Sequence, residues 1–531
     1  MNKSNNDNKR NNIVLGLSLL TISGISLWGI LWPEDLGAKA NLALSFLINK
    51  FGWMYLISVT IFLGFCIYLL FSPYRNIRLG SDDSRPKYSR FSWFAMLFSA
   101  GMAIGLIFWG VAEPISHFVQ PPHGLAEAGS AEAAKLALRF SFFHWGLHAW
   151  ANYALFALAI GYFQLRKGYP GLISSLFIPL IGEKRVRGPI GIAIDLLAIF
   201  ATVTGIATDL GLGTMQINSG LNMLYQIPDN LTSKLVIIAV ATICFMTSAI
   251  KGLDKGIKRL SDFNMILCII LIGLVIAVGP KLLMASNLIE GAKGYFSNFI
   301  TDGLPFKYLS SDSEWLGNWT IFYWAWWIAW TPFVGTFIAR ISWGRTIKEF
   351  ILGVLFVPGI LSILWFGVFG TFGMNKGIEA GAKAIESVPT AFFEIAKGYP
   401  LSGLISFVTI LLLFVFFVTS ADSSTFVLGM YSSNGDLNPS AKKKAIWGVA
   451  QSVLAIALLL AGGLQVLQTA NIVAAFPFAF VMLLSIVSLM KSLKQEKIIK
   501  EVKKEKTSWR EELNLKDEAP VINTMLEKIK E

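Results

Sequence analysis

Apolar runs of about 20 residues, separated by short polar loops, recur along the chain from Ile13 to Lys491. A run of that length crosses the hydrocarbon core of a bilayer as an α-helix. Twelve such runs are centred near residues 22, 62, 102, 152, 200, 241, 273, 330, 361, 416, 454 and 481. The pattern therefore predicts an all-α polytopic membrane protein with 12 transmembrane helices. The first run, Ile13 to Trp32, follows a polar start (MNKSNNDNKR), and no convincing small-residue cleavage site comes after it. It reads as a spanning helix and not as a removed signal. Residues 284–300 and 378–397 combine helical alternation with glycines and charges, which predicts short helices along the membrane surface. Beyond Lys491 the chain becomes mostly charged, with Ile, Val and Leu at helical spacing, and predicts a basic helix, solvated or held against anionic lipid.

Composition supports the membrane reading. Of 531 residues, 54% are hydrophobic and 15% charged, against about 25% charged in soluble proteins. The net charge of +12 does not point to nucleic acid, because the basic excess lies in short loops and tails. The loops at 73–90 (Arg75, Arg78, Arg85, Lys87, Arg90), 166–187, 251–259, 340–348 and 442–444 are basic, whereas those at 114–138 and 284–315 are mixed or acidic. Placing the basic loops and both tails in the cytoplasm satisfies the positive-inside rule throughout. A multi-pass protein of the cell membrane is the expectation. Cys66, Cys244 and Cys268 all fall in apolar runs without CxxC spacing, so buried thiols are expected and neither a disulfide nor a metal is implied.

Four stretches carry candidate chemistry. In Tyr323 to Gly335 (YWAWWIAWTPFVG), Trp324, Trp326, Trp327 and Trp330 cover an arc roughly 160° wide on a helix. Such an arc is either an interfacial aromatic belt or packing, or a wall of π-faces suited to a quaternary ammonium, which cannot donate hydrogen bonds. In Phe98 to His117 (FSAGMAIGLIFWGVAEPISH), Gly101, Gly105, Gly110 and Pro114 interrupt a span. Close helix packing explains glycines alone; a broken helix lining a transport site explains the combination. In Phe416 to Ser424 (FFVTSADSS), Thr419 and Ser420 offer oxygens for a small hard cation, with Asp422 beside them. Interhelical hydrogen bonding is the plainer alternative, and the intramembrane acid raises the functional one. Finally, HWGLHAWANY adds Trp145, Trp150 and Tyr153. His144 and His148 have metal-compatible spacing there, but neither a carboxylate nor a third ligand accompanies them, so metal is not expected.

Together these stretches, with the continuation to Arg345 (YWAWWIAWTPFVGTFIARISWGRT), resemble the betaine/choline/carnitine transporters over nearly the whole chain. The resemblance implies two inverted five-helix repeats on the fold shared with sodium-coupled neurotransmitter carriers (LeuT-like), preceded by two extra N-terminal helices. The corresponding divisions are a cytoplasmic tail at 1–12, extra helices at 13–91, a first repeat at 92–285, a connector with a surface helix at 286–315, a second repeat at 316–491 and a basic cytoplasmic tail at 492–531. By the family pattern Trp145, Trp150, Tyr153 and Trp327 form an ammonium cage, and Trp330 belongs to the cytoplasmic exit path. Backbone N–H groups across Gly101, Met102, Ala103 and Gly105 meet the substrate carboxylate. Sodium, the coupling ion and the only cofactor-like partner implied, sits at Ser99, Met102, Phe416, Thr419 and Ser420. A homotrimer is also implied.

Two positions depart from the family pattern. Ala103 replaces the middle glycine of G-M-G-x-G, and a methyl there narrows a close backbone approach. No acid accompanies this loop as in choline-selective relatives, which favours a zwitterion over choline. In span five, Thr202 matches the first threonine of a second sodium site, but Ile206 stands where the second belongs, and Thr204 and Thr208 repeat the spacing in a shifted register. Asp209 is an intramembrane acid that could bind a cation or carry a proton, so Thr202, Asp209 and Phe333 make a candidate second cation site. The expected function is sodium-driven import of a quaternary-ammonium zwitterion, glycine betaine foremost, for osmoprotection. Proton-coupled or exchange transport of carnitine- or choline-like substrates is the alternative. A nucleophile–base set for an enzyme and a filter loop for a channel are both absent from the sequence.

Overall fold

A computed structural model describes the backbone of residues 2–101, 104–251 and 254–513, with side chains over 9–97, 104–250, 260 and 262–496. It is helical, and among these residues the only β-type pairing is an isolated bridge between Arg78 and Thr346. Helices α1 (Asn2–Leu31) and α2 (Pro33–Phe71) come first, with Pro33 at a first-turn position where its missing N–H leaves no helical bond unmade. Helices α3 (Arg90–Gly101) and α4 (Ile104–Val119) flank the glycine-rich stretch. Then follow α5 (Ala131–Trp145), capped by the Ser130 hydroxyl, and α6 (Leu147–Gly161). A short α7 (Ile178–Arg187) precedes the long α8 (Pro189–Tyr225), α9 (Leu231–Lys251), α10 (Asp254–Val278) and α11 (Lys281–Ser297).

Three short helices, α12 (Phe299–Gly303), α13 (Tyr308–Ser311) and α14 (Ser313–Leu316), lead through a π-turn into α15 (Phe322–Ile341). Then come α16 (Ile347–Ile351), begun by a reciprocal cap between Thr346 and Glu349, and α17 (Val357–Met374). Short helices α18 (Gly377–Ile385) and α19 (Ala391–Lys397) precede α20 (Ser402–Tyr431), and α21 (Ala441–Leu513) ends the described chain. At the centre α8 packs against α15, α20 and α21, while α4 packs against α5 and α17.

Eleven of the twelve predicted centres fall within helices, and the twelfth, near 102, lies between α3 and α4 at positions outside the described residues. Among the described residues seven helices are long and apolar enough to cross a membrane, or eight if α10 and α11, bent by 112°, count as one span. The difference from twelve has physical causes. The run near 152 is two shorter helices, and those near 454 and 481 share α21, bent at Gly462 and Gly463. In α15 much of the apolar bulk is Trp and Tyr, which also carry polar N–H and O–H groups.

Helices occur in both stretches where short ones were expected, 284–300 and 378–397. The N-terminal segment packs against the rest of the fold at Arg10. Residues 2–12 continue α1, and Arg10 is buried and donates to Asp195 (2.5 Å) and Ser174 (3.2 Å). The reason is charge pairing in a packed setting, which hydrophobic periodicity does not register. One cysteine also departs from expectation: Cys66 and Cys268 are buried, but Cys244 is exposed on α9. Only 28% of the apolar window of that helix is buried, so its outer face meets the surroundings.

Candidate functional site

The fourth span does not run straight. A Cβ added at Gly146 would stand 2.4 Å from the Phe142 carbonyl oxygen, closer than a side chain tolerates. Glycine permits this local break, which ends α5 at Trp145 and starts α6 at Leu147. The apolar run near 152 predicts a single helix carrying Trp145, Trp150 and Tyr153. The break re-aims Trp145 relative to the other two.

Four aromatic side chains converge there. Trp145 meets Trp327 edge-to-face at 4.8 Å between ring centroids, Tyr153 meets Trp327 at 6.1 Å, and Trp150 meets Tyr153 at 5.4 Å, all near-perpendicular. No more than 4% of any of the four is exposed. The Tyr153 hydroxyl is buried and has no hydrogen-bond partner among the described residues. A box of π-faces with one unspent hydroxyl offers attraction to a cation without demanding hydrogen bonds from it.

The four tryptophans of α15 do not form one wall. Trp327 faces Trp145 and Tyr153, and Trp326 stacks parallel behind it at 5.4 Å. Trp324 turns to Phe143 and His148, and Trp330 packs against Phe333 at 5.7 Å and over Gly205. Trp327 is itself held, because its indole N–H donates to the His144 carbonyl at 3.0 Å.

Glu113 anchors the other side of the box. It is fully buried on α4, and its Oε2 accepts from the Trp145 indole N–H (2.7 Å) and the Tyr323 hydroxyl (2.6 Å). Its Oε1 lies 2.7 Å from His144 Nδ1, while His144 Nε2 lies 2.9 Å from the Thr320 hydroxyl. Glu113 carries no assigned role in the pattern of the glycine-rich stretch, although an acid inside a span is itself a functional signal. Along the HWGLHAWANY segment alone no carboxylate accompanies His144. The fold corrects that, since Glu113 comes from the neighbouring helix, where spacing along one segment cannot reveal it.

The family model described as BCCT, betaine/carnitine/choline family transporter, matches residues 13–498. The chain belongs to that family. It is a transporter and not an enzyme, and a multi-pass membrane protein. It is 50% identical to the glycine betaine transporter OpuD of Bacillus subtilis (strain 168), over 90% of this chain and 93% of that one. It is 41% identical to an ectoine/hydroxyectoine transporter of Virgibacillus pantothenticus, over 93% and 98%. With a high-affinity choline transport protein of Escherichia coli (strain K12) it shares 37%, over 93% and 74%.

Within this BCCT chain the remaining expected site residues are placed unevenly. Met102 and Ala103, and the side chains of Ser99 and Gly101, lie outside the described residues. Gly105 is described and abuts the box: an added Cβ would lie 2.5 Å from the Trp326 ring and 3.1 Å from that of Trp145. Overpacking of this kind costs about 1–3 kcal/mol. Gly105→Ala is therefore expected to lower the melting temperature of the purified transporter and raise its apparent KM. Unchanged values of both would show that the rings yield freely.

Phe416, Thr419 and Ser420 share one turn of α20. The Thr419 hydroxyl donates within its own helix, to Val415 (3.0 Å) or Phe416 (3.1 Å), and accepts from Asn264 of α10 at 3.2 Å. Asp422 takes the Ser248 hydroxyl at 2.5 Å. On α8, which is unbroken here, Thr202 and Asp209 stand two turns apart, about 10 Å along the axis. Thr202 bonds back to Ala198, and Thr208 ties α8 to the Leu467 carbonyl at 2.9 Å. Phe333 lies against Trp330. Asp209 is the exception: both its oxygens are buried without a hydrogen-bond partner among the described residues.

Proposed function

We propose that this transporter imports glycine betaine by sodium symport and serves osmoprotection. The observation that carries the substrate class is the buried box of Trp145, Trp150, Tyr153 and Trp327. Its π-faces suit a quaternary ammonium, and the relative that is half identical bears the name of a glycine betaine transporter. In this reading Trp330, one turn along α15, lines the inward exit. The substrate carboxylate meets backbone N–H groups in the segment from Gly101 through Met102 and Ala103 to Gly105. Sodium sits between that segment, at Ser99 and Met102, and the oxygens of Phe416, Thr419 and Ser420 on α20. The fold divides into two inverted five-helix repeats, 92–285 and 316–491, with both termini cytoplasmic, basic segments against anionic lipid and three copies assembled. Coupling requires that ion and substrate each bind one conformation better, reciprocally.

Asp209 supports a second reading, proton coupling. It shares a helical face with Gly205 and Gly213, whose nearest neighbours are Trp330 and Ile104. Its carboxylate is thereby placed between Trp330 and the start of α4. An unpaired carboxylate there is a candidate proton carrier.

The test is uptake of labelled glycine betaine into proteoliposomes under an imposed sodium or proton gradient, with choline and carnitine as competitors and Asp209→Asn in parallel. Sodium-driven uptake that persists in Asp209→Asn is expected. Proton-driven uptake that the substitution abolishes would overturn the sodium reading and establish the second one.

A further inference from the structure

His117 sits one helical turn beyond Glu113 on α4, so both side chains share one face. It is fully buried, yet neither ring nitrogen has a hydrogen-bond partner among the described residues. Its Nε2 stands 3.5 Å from Glu113 Oε1, and His144 Nδ1 stands 2.7 Å from the same oxygen. All three ligand atoms lie within 4.8 Å of one another. Glu113 is already oriented, because Trp145 and Tyr323 hold its other oxygen. His144 is oriented too, because Thr320 holds its other nitrogen. Those are the outer-shell bonds that fix metal ligands and their tautomers.

We propose that Glu113, His117 and His144 form a binding site for a zinc-like divalent cation. Two imidazoles and one carboxylate suit a borderline metal, with a fourth position left for water. Ligand atoms around tetrahedral zinc stand about 3.3 Å apart, given bonds near 2.0–2.1 Å. The Glu113–His117 separation is close to that already. The Glu113–His144 pair opens by a few tenths of an ångström as His144 gives up its hydrogen bond to Glu113, moves its proton from Nδ1 to Nε2 to donate to Thr320, and turns the freed Nδ1 lone pair to the metal. The rings of Trp319 (4.5 Å) and Trp315 (5.3 Å) shield His117 from water. The occupied site clamps α4 to the last turn of α5, which carries Trp145, so zinc restrains the box and inhibits transport.

The test is zinc binding by the purified full-length chain in detergent, read by calorimetry, with cobalt substituted for its d–d absorption. About one zinc per chain is expected, and His117→Asn should weaken binding at least tenfold, as loss of a metal-site group does. The same substitution should abolish zinc inhibition of uptake while leaving metal-free uptake intact, since the one polar contact of His117 among the described residues is the 3.5 Å approach to Glu113 Oε1, an oxygen that His144 also holds. Absence of a saturable site in the wild-type chain, or equal affinity in His117→Asn, overturns the proposal. Should that variant fold poorly, the wild-type stoichiometry and a tetrahedral cobalt spectrum quenched by Glu113→Gln decide the matter. Binding is read without transport, so failure here is distinct from failure of the betaine reading.

Discussion

Replacing Trp327 with leucine is expected to weaken glycine betaine recognition by about 2 kcal/mol, the worth of a cation–π contact in a desolvated site. That corresponds to roughly a 30-fold rise in apparent KM. Trp327 is the ring common to two of the box contacts, at 4.8 Å from Trp145 and 6.1 Å from Tyr153. Leucine keeps an apolar side chain but removes the π-face and the N–H that donates to His144. A melting curve of the purified variant separates loss of recognition from loss of fold. Trp324→Leu is the control, because Trp324 turns away toward Phe143 and His148. It should leave KM within about threefold, since truncation outside a binding centre costs little affinity. An unchanged KM in Trp327→Leu would remove this ring from the binding site.

These expectations mark where the chain was legible. Helix positions could be read from apolar periodicity because each run must bury or face lipid along its whole length. Aromatic residues spaced along α6 and α15 announced a π-rich site for the same local reason. What the linear pattern hid was direction. Gly146 turns Trp145 away from the line of α6, and the α15 tryptophans divide among three surroundings because four large rings cannot share one side of a tightly packed helix. Pairing between helices was hidden as well. Glu113 and His144 are 31 positions apart, and Arg10 and Asp195 are 185 apart. Neither spacing has a local signature.

Glu113 invites the sharpest dissection. Glu113→Leu would strand the Trp145 N–H, the Tyr323 hydroxyl and His144 Nδ1, all of them buried groups. Each buried polar group left unmade costs about 1–3 kcal/mol, and removing one partner of a buried charged network about 3–5 kcal/mol. This variant is expected to lose most of its folded, detergent-stable population, measured by size-exclusion profile and melting temperature. Glu113→Gln should behave differently. Its amide oxygen can face Trp145 and Tyr323 while its NH2 faces His144 Nδ1, provided that His144 moves its proton to Nε2 and donates to Thr320. Every hydrogen bond then survives, and what disappears is the negative charge behind the Trp145 ring. A folded Glu113→Gln with KM raised about tenfold, or 1.4 kcal/mol, and a kcat near wild type would show that this charge supports the attraction of the box for a cation. If KM stays at the wild-type value in folded Glu113→Gln, Glu113 is a structural anchor alone, and the affinity of the box comes from its rings.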